Sequence, residues 1–341
     1  MSEDPKQPYI GGQAVIEGVM MRAPGCLSVA VRKPDGAIAV REGPVVSKLA
    51  RSKAWKLPFV RGVATLVESL SIGYGALRFS AEQQLTEEER AEAGAGSGRG
   101  MMVVTTLIAL GLFMAAPQLA AEGTSRLLGV ELAVDQWQFH ALTGAFKLLI
   151  FTLYLFGISR LPDVRRVFQY HGAEHKTIFA YEAGLPLTVS NVQKQSTLHP
   201  RCGTTFLVVV IFVSVVAGTF VTPLFMPAWA TGRFEQNLIT LMVRIALLPP
   251  VAAISYELQR VSARYCTTGP LQVLLWPGFL FQKITTREPA DDQVEIAITA
   301  MRAAIWREQN ASAAADDEPL VFESFEGFLE DVETSLRPRE A

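Results

Sequence analysis

The chain of 341 residues has little cysteine, little histidine and no large excess of either charge. Its three cysteines, Cys26, Cys202 and Cys266, are odd in number and far apart, which argues against a disulfide framework and suits a reducing compartment. The 31 basic and 33 acidic side chains form no basic patch interleaved with aromatics, so no nucleic-acid partner is expected. Residues 1–100 contain no short apolar run followed by a small-residue cleavage site, so no signal peptide is expected either.

Half of the residues are apolar, and they are concentrated rather than spread evenly. Four stretches predict membrane spans: 101–121, 139–159, 204–223 and 238–255. Each has about 18–21 residues, which is enough to cross a bilayer core of roughly 30 Å. We therefore expect a polytopic α-helical membrane protein with about four transmembrane helices.

The distribution of lysine and arginine predicts the orientation of these spans. The loop 160–203 carries six basic against three acidic side chains, whereas the loop between the first two predicted spans is net acidic. Basic loops stay in the cytoplasm. The N-terminus, the C-terminus and the loop 160–203 are therefore expected to be cytoplasmic.

Outside the predicted spans, the composition divides the chain into further regions. Residues 1–58 predict a small β-rich cytoplasmic unit, because two alternating apolar runs flank the turn sequence Lys33-Pro34-Asp35-Gly36. The remaining predictions are an interfacial amphipathic helix at 59–85, a linker at 86–100, a membrane domain at 101–265 with the helical loop 160–203, an interfacial segment and cytoplasmic helix at 266–310, and an acidic, disordered tail at 311–341. Whether residues 59–81 lie on the membrane or cross it stays open.

Two of the four histidines, His171 and His175, lie one helical turn apart with Glu174 between them. The order H-x-x-E-H is that of the inverted zinc-protease motif. Two imidazoles on one helix face can bind one cation, and the neighbouring carboxylate can take a proton from a bound water. We predict His171 and His175 as metal ligands and Glu174 as the general base. An exposed amphipathic helix with two incidental histidines is the alternative.

His199 and Cys202 follow in a proline-containing turn just before the third predicted span, and Glu257 lies just past the fourth. The predicted topology places all of these donors at the cytoplasmic membrane edge. Nitrogen and sulfur donors suit Zn²⁺, and Fe²⁺ less well. The expected ligand set is His171, His175 and His199, completed by Cys202 or Glu257. For the turn, a buried thiol at a helix entry is the alternative.

Several other charged residues have two interpretations. Glu17, Arg22, Glu182 and Arg201 are expected around the ligands, although the N-terminal glycine-rich segment with Glu17 and Arg22 could simply pack against the loop. Lys147 and Arg244 lie inside predicted spans, where a cation is costly. They either extend outward to water or face an internal polar cavity and hold an anion.

Five motifs together resemble the YqhQ-like bacterial membrane proteins, the domain-of-unknown-function family 1385. They are GGQAVIEGVMMRAP (11–24), YHGAEHKTIFAYE (170–182), HPRCGT (199–204), ISYE (254–257) and TTREP (285–289). The resemblance covers roughly residues 9–306. It implies a metal-dependent enzyme of the bacterial inner (cytoplasmic) membrane, and it attaches no substrate to that enzyme.

Three functions remain after these observations. The first is a metal-dependent membrane enzyme, hydrolytic in type, with a lipid-like or membrane-tethered substrate at the cytoplasmic interface. The second is a metal-stabilised scaffold for a membrane complex, in which four protein ligands would close the site. The third is a transporter, which is disfavoured because the sequence shows no internal repeat.

Overall fold

The computed structural model describes residues 8–45, 57–86, 89, 98–130, 132–266, 270–310 and 318–335. The elements are β1 (Gly11–Val15), β2 (Gly18–Arg22), β3 (Cys26–Arg32), β4 (Ile38–Pro44), α1 (Val60–Gln83), α2 (Gly98–Leu110), α3 (Ala116–Leu127), α4 (Trp137–Ile158), α5 (Pro162–Glu182), α6 (Val189–Gln193), α7 (Gly203–Val221), α8 (Arg233–Ala246), α9 (Leu248–Tyr265), α10 (Trp276–Thr285), α11 (Asp291–Gln309), β5 (Leu320–Phe322) and α12 (Phe325–Ser335). A π-helical turn, Gly111–Ala115, joins α2 to α3. The 3₁₀ turns Thr222–Phe225 and Pro270–Leu275 follow α7 and precede α10.

The strands form one antiparallel sheet in the order β1-β2-β3-β4-β5. The predicted hairpin is confirmed: β3 and β4 pair with Arg32 opposite Ile38. The turn between them needs a left-handed residue, and Gly36 supplies it with φ 91°. The small N-terminal β-rich unit is therefore an antiparallel sheet.

Part of the tail that was expected to be disordered is folded. Leu320–Phe322 adds β5 to the edge of the sheet beside β4, and α12 follows it. The tail folds because three of its phenylalanines, Phe322, Phe325 and Phe328, are buried in the hydrophobic core beside the sheet. Their apolar burial outweighs the acidic composition around them. Residues 311–317 and 336–341 of this tail lie outside the described residues.

The sheet has helices on both faces. One face packs on α11 and α5, where Met301 and Tyr170 are fully buried, and the other face packs on Phe79 of α1. Alternate residues along each strand point to opposite faces, so a strand can serve both layers. The core therefore joins an N-terminal sheet, a helix from the middle of the chain and a helix from its C-terminal part.

Among the residues that the structure describes, three helices are long and apolar enough to span a membrane: Val103–Leu127, which runs through the π-helical turn, Trp137–Ile158 and Gly203–Phe225. The fourth predicted span, 238–255, is not one straight helix. It is divided between α8 and α9, which are bent by 49°. The break falls at Leu247, directly before Pro249-Pro250, because proline removes backbone hydrogen bonds and kinks a helix.

The helix α1 has an apolar outer side as well as a buried one. Val67, Leu70 and Tyr74 are more than half exposed, whereas Ala76 and Phe79 pack on the sheet. The predicted linker 86–100 lies mainly outside the described residues, and its last three residues, from Gly98, begin α2.

Candidate metal centre

The helix α5 carries His171, Glu174 and His175, and its sequence contains the signals that start and end it. Pro162 occupies the first turn, where its missing N–H is not needed. Gly184, just beyond the helix, adopts a left-handed φ of 66°, which suits a helix C-terminus. The histidines therefore lie on one continuous helix, one turn apart as predicted.

His171, His175 and Cys202 converge on one point. Their donor atoms all lie within 4.8 Å of one another. The Cys202 sulfur lies 3.3 Å from His171 Nε2, and the two imidazole rings have centroids 4.4 Å apart. Cys202 is the N-cap of α7, so the first turn of an apolar helix fixes its position. Two nitrogens and one sulfur can hold a zinc ion and leave a fourth position free.

Backbone carbonyls determine which ring nitrogens face this point. His171 Nδ1–H donates to the carbonyl oxygen of Thr285 at 2.8 Å, and His175 Nδ1–H donates to that of Thr197 at 2.5 Å. A carbonyl oxygen only accepts, so both protons are on Nδ1, and both Nε2 atoms carry a lone pair on the side of the Cys202 thiol, with which His171 Nε2 forms a hydrogen bond. Metal-binding histidines are commonly oriented in this way.

His199 lies beside the three donors rather than among them. Its ring centroid is 5.5 Å from that of His175, and its Nε2 is 3.8 Å from Glu182 Oε2. Gln282 fixes its backbone, accepting from the His199 N–H and donating to the His199 carbonyl, both at 2.8 Å. The His199 Nε2 is buried and has no hydrogen-bond partner among the described residues. It is therefore available to a ligand that enters next to the donor cluster.

Glu174 is buried on the same side of α5, with 5% of its surface exposed. It packs on Gly12 of β1, where an added Cβ would come within 2.6 Å of Glu174 Cγ. Burial raises the pKa of Glu174, and nearby His171 and His199 oppose that rise. Burial lowers the pKa of His175 and of His199. The low-polarity surroundings thus favour neutral imidazoles, the form that binds metals.

The donors open into a cavity of about 430 Å³ between β1, α5 and the start of α7. Glu174 and His199 line it, as does Arg201. The cavity extends to Leu207, which lies on the second turn of an apolar helix of spanning length. A molecule in this cavity would contact the donors and that helix at the same time.

Two of the residues expected at the site lie elsewhere. The structure does not bring Glu257 to the donors: its carboxylate accepts from Arg61 Nε and Nη2 at 2.7 and 2.5 Å and joins α9 to α1. The prediction that Glu257 is a metal ligand is therefore not supported by the structure, because both of its carboxylate oxygens bind the Arg61 guanidinium. Arg22 forms an ion pair with Glu68 at 3.2 Å, which ties β2 to α1.

The three remaining expected neighbours, Glu17, Glu182 and Arg201, also have charged partners. Glu17 binds Arg166 Nε and Nη2, both at 2.5 Å, and so fastens the β1–β2 turn to α5 without reaching the donors. Glu182 forms an ion pair with Arg201. Arg201 lines the cavity, so of the four expected neighbours the Glu182–Arg201 pair is the one at the site.

Three residues that the sequence did not indicate complete the site: Thr197, Thr285 and Gln282. Thr197 and Thr285 act through their backbone carbonyls, and because every residue has a carbonyl, the residue type gives no signal in the sequence. Thr285 does belong to the TTREP motif, and this was the available signal. Gln282 is fully buried in α10, where its amide reaches back to His199.

Comparison with known proteins identifies the family. The model of a protein family of unknown function, DUF1385, matches residues 57–307. The chain belongs to this family. It is also 34% identical over 328 residues to the "Uncharacterized protein YqhQ" of Bacillus subtilis (strain 168), an alignment that covers 91% of this chain and 98% of the relative. The resemblance found in the five motifs is thus confirmed. No solved structure matches the chain.

Proposed function

We propose that this member of the DUF1385 family is a metal-dependent hydrolase of the bacterial inner membrane, with its site at the cytoplasmic interface. The convergence of His171, His175 and Cys202, with both Nδ1 atoms bound to backbone carbonyls and both Nε2 atoms left to face the thiol, is the observation that carries the proposal. The donor set suits Zn²⁺ best, and Fe²⁺ less well. His171, His175 and Cys202 would hold the ion.

The residues around the donors suit hydrolysis. A bound divalent cation supplies Lewis acidity and a nucleophilic water. Glu174 lines the same cavity and would take a proton from a water held at the donors. Arg201 lines the cavity too, held in place by Glu182, and orients an anionic or carbonyl group of the substrate. Packing against Gly12 keeps the Glu174 carboxylate from turning away.

The shared core supports four membrane crossings. The sheet, α5 and α11 pack in one core, so the N-terminal, middle and C-terminal parts lie on one side of a membrane. Val103–Leu127 and Trp137–Ile158 take the chain out and back before α5. Gly203–Phe225 takes it out again, and the bent pair α8–α9 must return it for α11 to join the core. The basic loop that contains α5 supports a cytoplasmic location for this side and for both termini.

The cavity position supports a lipid-like or membrane-tethered substrate. The cavity reaches Leu207, which is 41% exposed on the second turn of the third apolar helix. A hydrolytic site that opens beside a lipid-facing helix admits a molecule that is itself anchored in the bilayer. The proposed partner of this protein is therefore the lipid bilayer itself.

A metal-stabilised scaffold is the alternative, and the donor count separates the two. A structural zinc has four protein ligands, whereas a catalytic zinc has three and an open position. Among the described residues, three donors meet, and His199 stands beside them. If His199 bound the metal as a fourth protein ligand, the site would be that of a scaffold.

The test combines metal content with turnover of ester-bearing or phosphate-bearing lipids in mixed micelles. Wild type should retain zinc through purification, and Glu174→Gln should keep that zinc while losing turnover. The matched control is Glu257→Gln, which removes a carboxylate bound to Arg61 and should retain both. Absence of transition metal in wild type, together with unchanged metal content in His175→Ala, would refute the metal site. Turnover that persists in Glu174→Gln would refute the assigned base.

A further inference from the structure

A second cavity, of about 330 Å³, lies among the apolar helices; none of the metal donors lines it, and it shares only Leu207 with the donor cavity. Its walls are mostly hydrophobic: Phe113, Met114, Phe151, Val210, Leu247 and Val251. Leu207 and Leu248 at its border are each 41% exposed, so the cavity opens toward the lipid-facing surface. An acyl chain can enter it sideways from the bilayer.

Two cations line this otherwise apolar cavity. Lys147 of α4 donates to Ser214 Oγ at 3.3 Å, and Arg244 of α8 contacts Gln118 Oε1 and His140 Nδ1, both at 3.0 Å. These partners are all uncharged side chains or neutral ring nitrogens. Within the described part of the chain, neither cation forms an ion pair with a carboxylate. Arg244 is buried and Lys147 is half-buried, and a buried cation without a counter-charge is unfavourable, so the site favours an anionic ligand.

The helices are irregular where they meet this cavity. Phe113 and Met114 lie in the π-helical turn Gly111–Ala115, and Leu247 lies at the break between α8 and α9. Such π-turns in helices are often found at functional sites. Here the π-helical turn contributes Phe113 and Met114 to the cavity wall, and the break between α8 and α9 contributes Leu247.

From this combination we infer that the cavity binds an anionic phospholipid of the bilayer, with an acyl chain against its apolar walls and its phosphate toward Lys147 and Arg244. The apolar walls account for the chain, and the two uncompensated cations account for the charge. The lateral opening makes the bilayer the source of this ligand. The binding does not depend on a metal, so it stands apart from the proposed hydrolysis.

The experiment uses full-length protein in vesicles of phosphatidylcholine that contain a photoactivatable phosphatidylglycerol. The labelled peptides should come from α4 and α7. Unlabelled phosphatidylglycerol should compete for labelling about tenfold better than phosphatidylcholine, because the choline ammonium of phosphatidylcholine offsets the phosphate charge and is repelled by the two cations. Lys147→Met should abolish this preference. Lys147→Arg should retain it, and so should Lys283→Met, which removes an exposed cation outside the cavity.

A cavity-filling variant keeps the test decisive if Lys147→Met fails to fold. Val210→Trp fills the cavity while leaving both cations in place, and it should remove the labelling. The inference is overturned if Lys147→Met, folded as judged by gel filtration, keeps the wild-type preference. It is equally overturned if the label maps to other helices, or if free palmitate competes and phosphatidylglycerol does not. The metal content of these variants should be unchanged. A failure of the lipid proposal can therefore be distinguished from a failure of the proposed hydrolase activity.

Discussion

A methyl group at Gly172 of α5 tests the geometry of the donor cluster sharply. An added Cβ would lie 2.0 Å from the carbonyl oxygen of Arg287, whereas ordinary contact begins at 3.4 Å, so the segment must retreat by about 1.4 Å. Thr285 and Arg287 lie in this same segment. The Thr285 carbonyl accepts from His171 Nδ1–H, and the Arg287 N–H donates to the carbonyl oxygen of Phe168 at 2.9 Å. Gly172→Ala therefore disturbs both the packing of α5 and the orientation of a metal ligand.

The expected loss of stability follows from these contacts. Overpacking against a backbone atom that cannot rotate away contributes about 1–3 kcal/mol. Two weakened hydrogen bonds contribute about 1 kcal/mol each. The better helix propensity of alanine returns about 1 kcal/mol. We expect Gly172→Ala to lower the free energy of unfolding by roughly 2–4 kcal/mol, and to weaken zinc affinity about 10–100-fold because His171 loses its orienting carbonyl.

Denaturant unfolding in detergent measures the first quantity, and competition with a chromogenic chelator measures the second. The matched control is Gly75→Ala in α1, where a Cβ would meet nothing within 4 Å. This variant should keep wild-type zinc affinity and lose no stability. The reasoning is refuted if Gly172→Ala and Gly75→Ala behave alike in both measurements.

Three further predictions concern residues away from the donors. Glu257→Gln should leave metal content unchanged and lower the free energy of unfolding by about 1 kcal/mol or less, since its partly exposed pair with Arg61 is weak; loss of metal would restore Glu257 as a ligand. Arg307→Met should destabilise by about 3–5 kcal/mol in denaturant, because it removes the buried guanidinium from its ion pair with the largely covered Glu42 carboxylate 3.1 Å away; a neutral effect would contradict this assignment. Burial raises the pKa of Cys26 to about 12, so alkylation followed by mass spectrometry should find it unlabelled at about pH 8, with the rate rising about tenfold per pH unit above that; rapid labelling near neutral pH would contradict its burial.

Local patterns in the sequence predicted the helix of the site and two of its donors. The spacing of His171 and His175 is a property of one helix, and it needs no knowledge of the tertiary fold. The turn Lys33-Pro34-Asp35-Gly36 likewise determined the β3–β4 hairpin through the conformation of its glycine. Signals that act within a few residues were therefore sufficient for these features.

Long-range contacts were beyond the same reasoning. Arg61 and Glu257 are 196 positions apart, and nothing in either local sequence indicates that they pair. The carbonyl of Thr285, 114 positions from His171, orients a ligand through the backbone alone. The folded part of the tail was missed because its acidic composition concealed apolar residues such as Phe328.

The measurement that tests the central claim most directly is X-ray absorption at the metal edge of the purified protein, compared with Cys202→Ser. If His171, His175 and Cys202 hold the ion, wild type should show nitrogen neighbours and a sulfur at about 2.3 Å. Cys202→Ser should lose the sulfur signal. A wild-type shell without sulfur, or a spectrum that Cys202→Ser leaves unchanged, would contradict the metal centre described above.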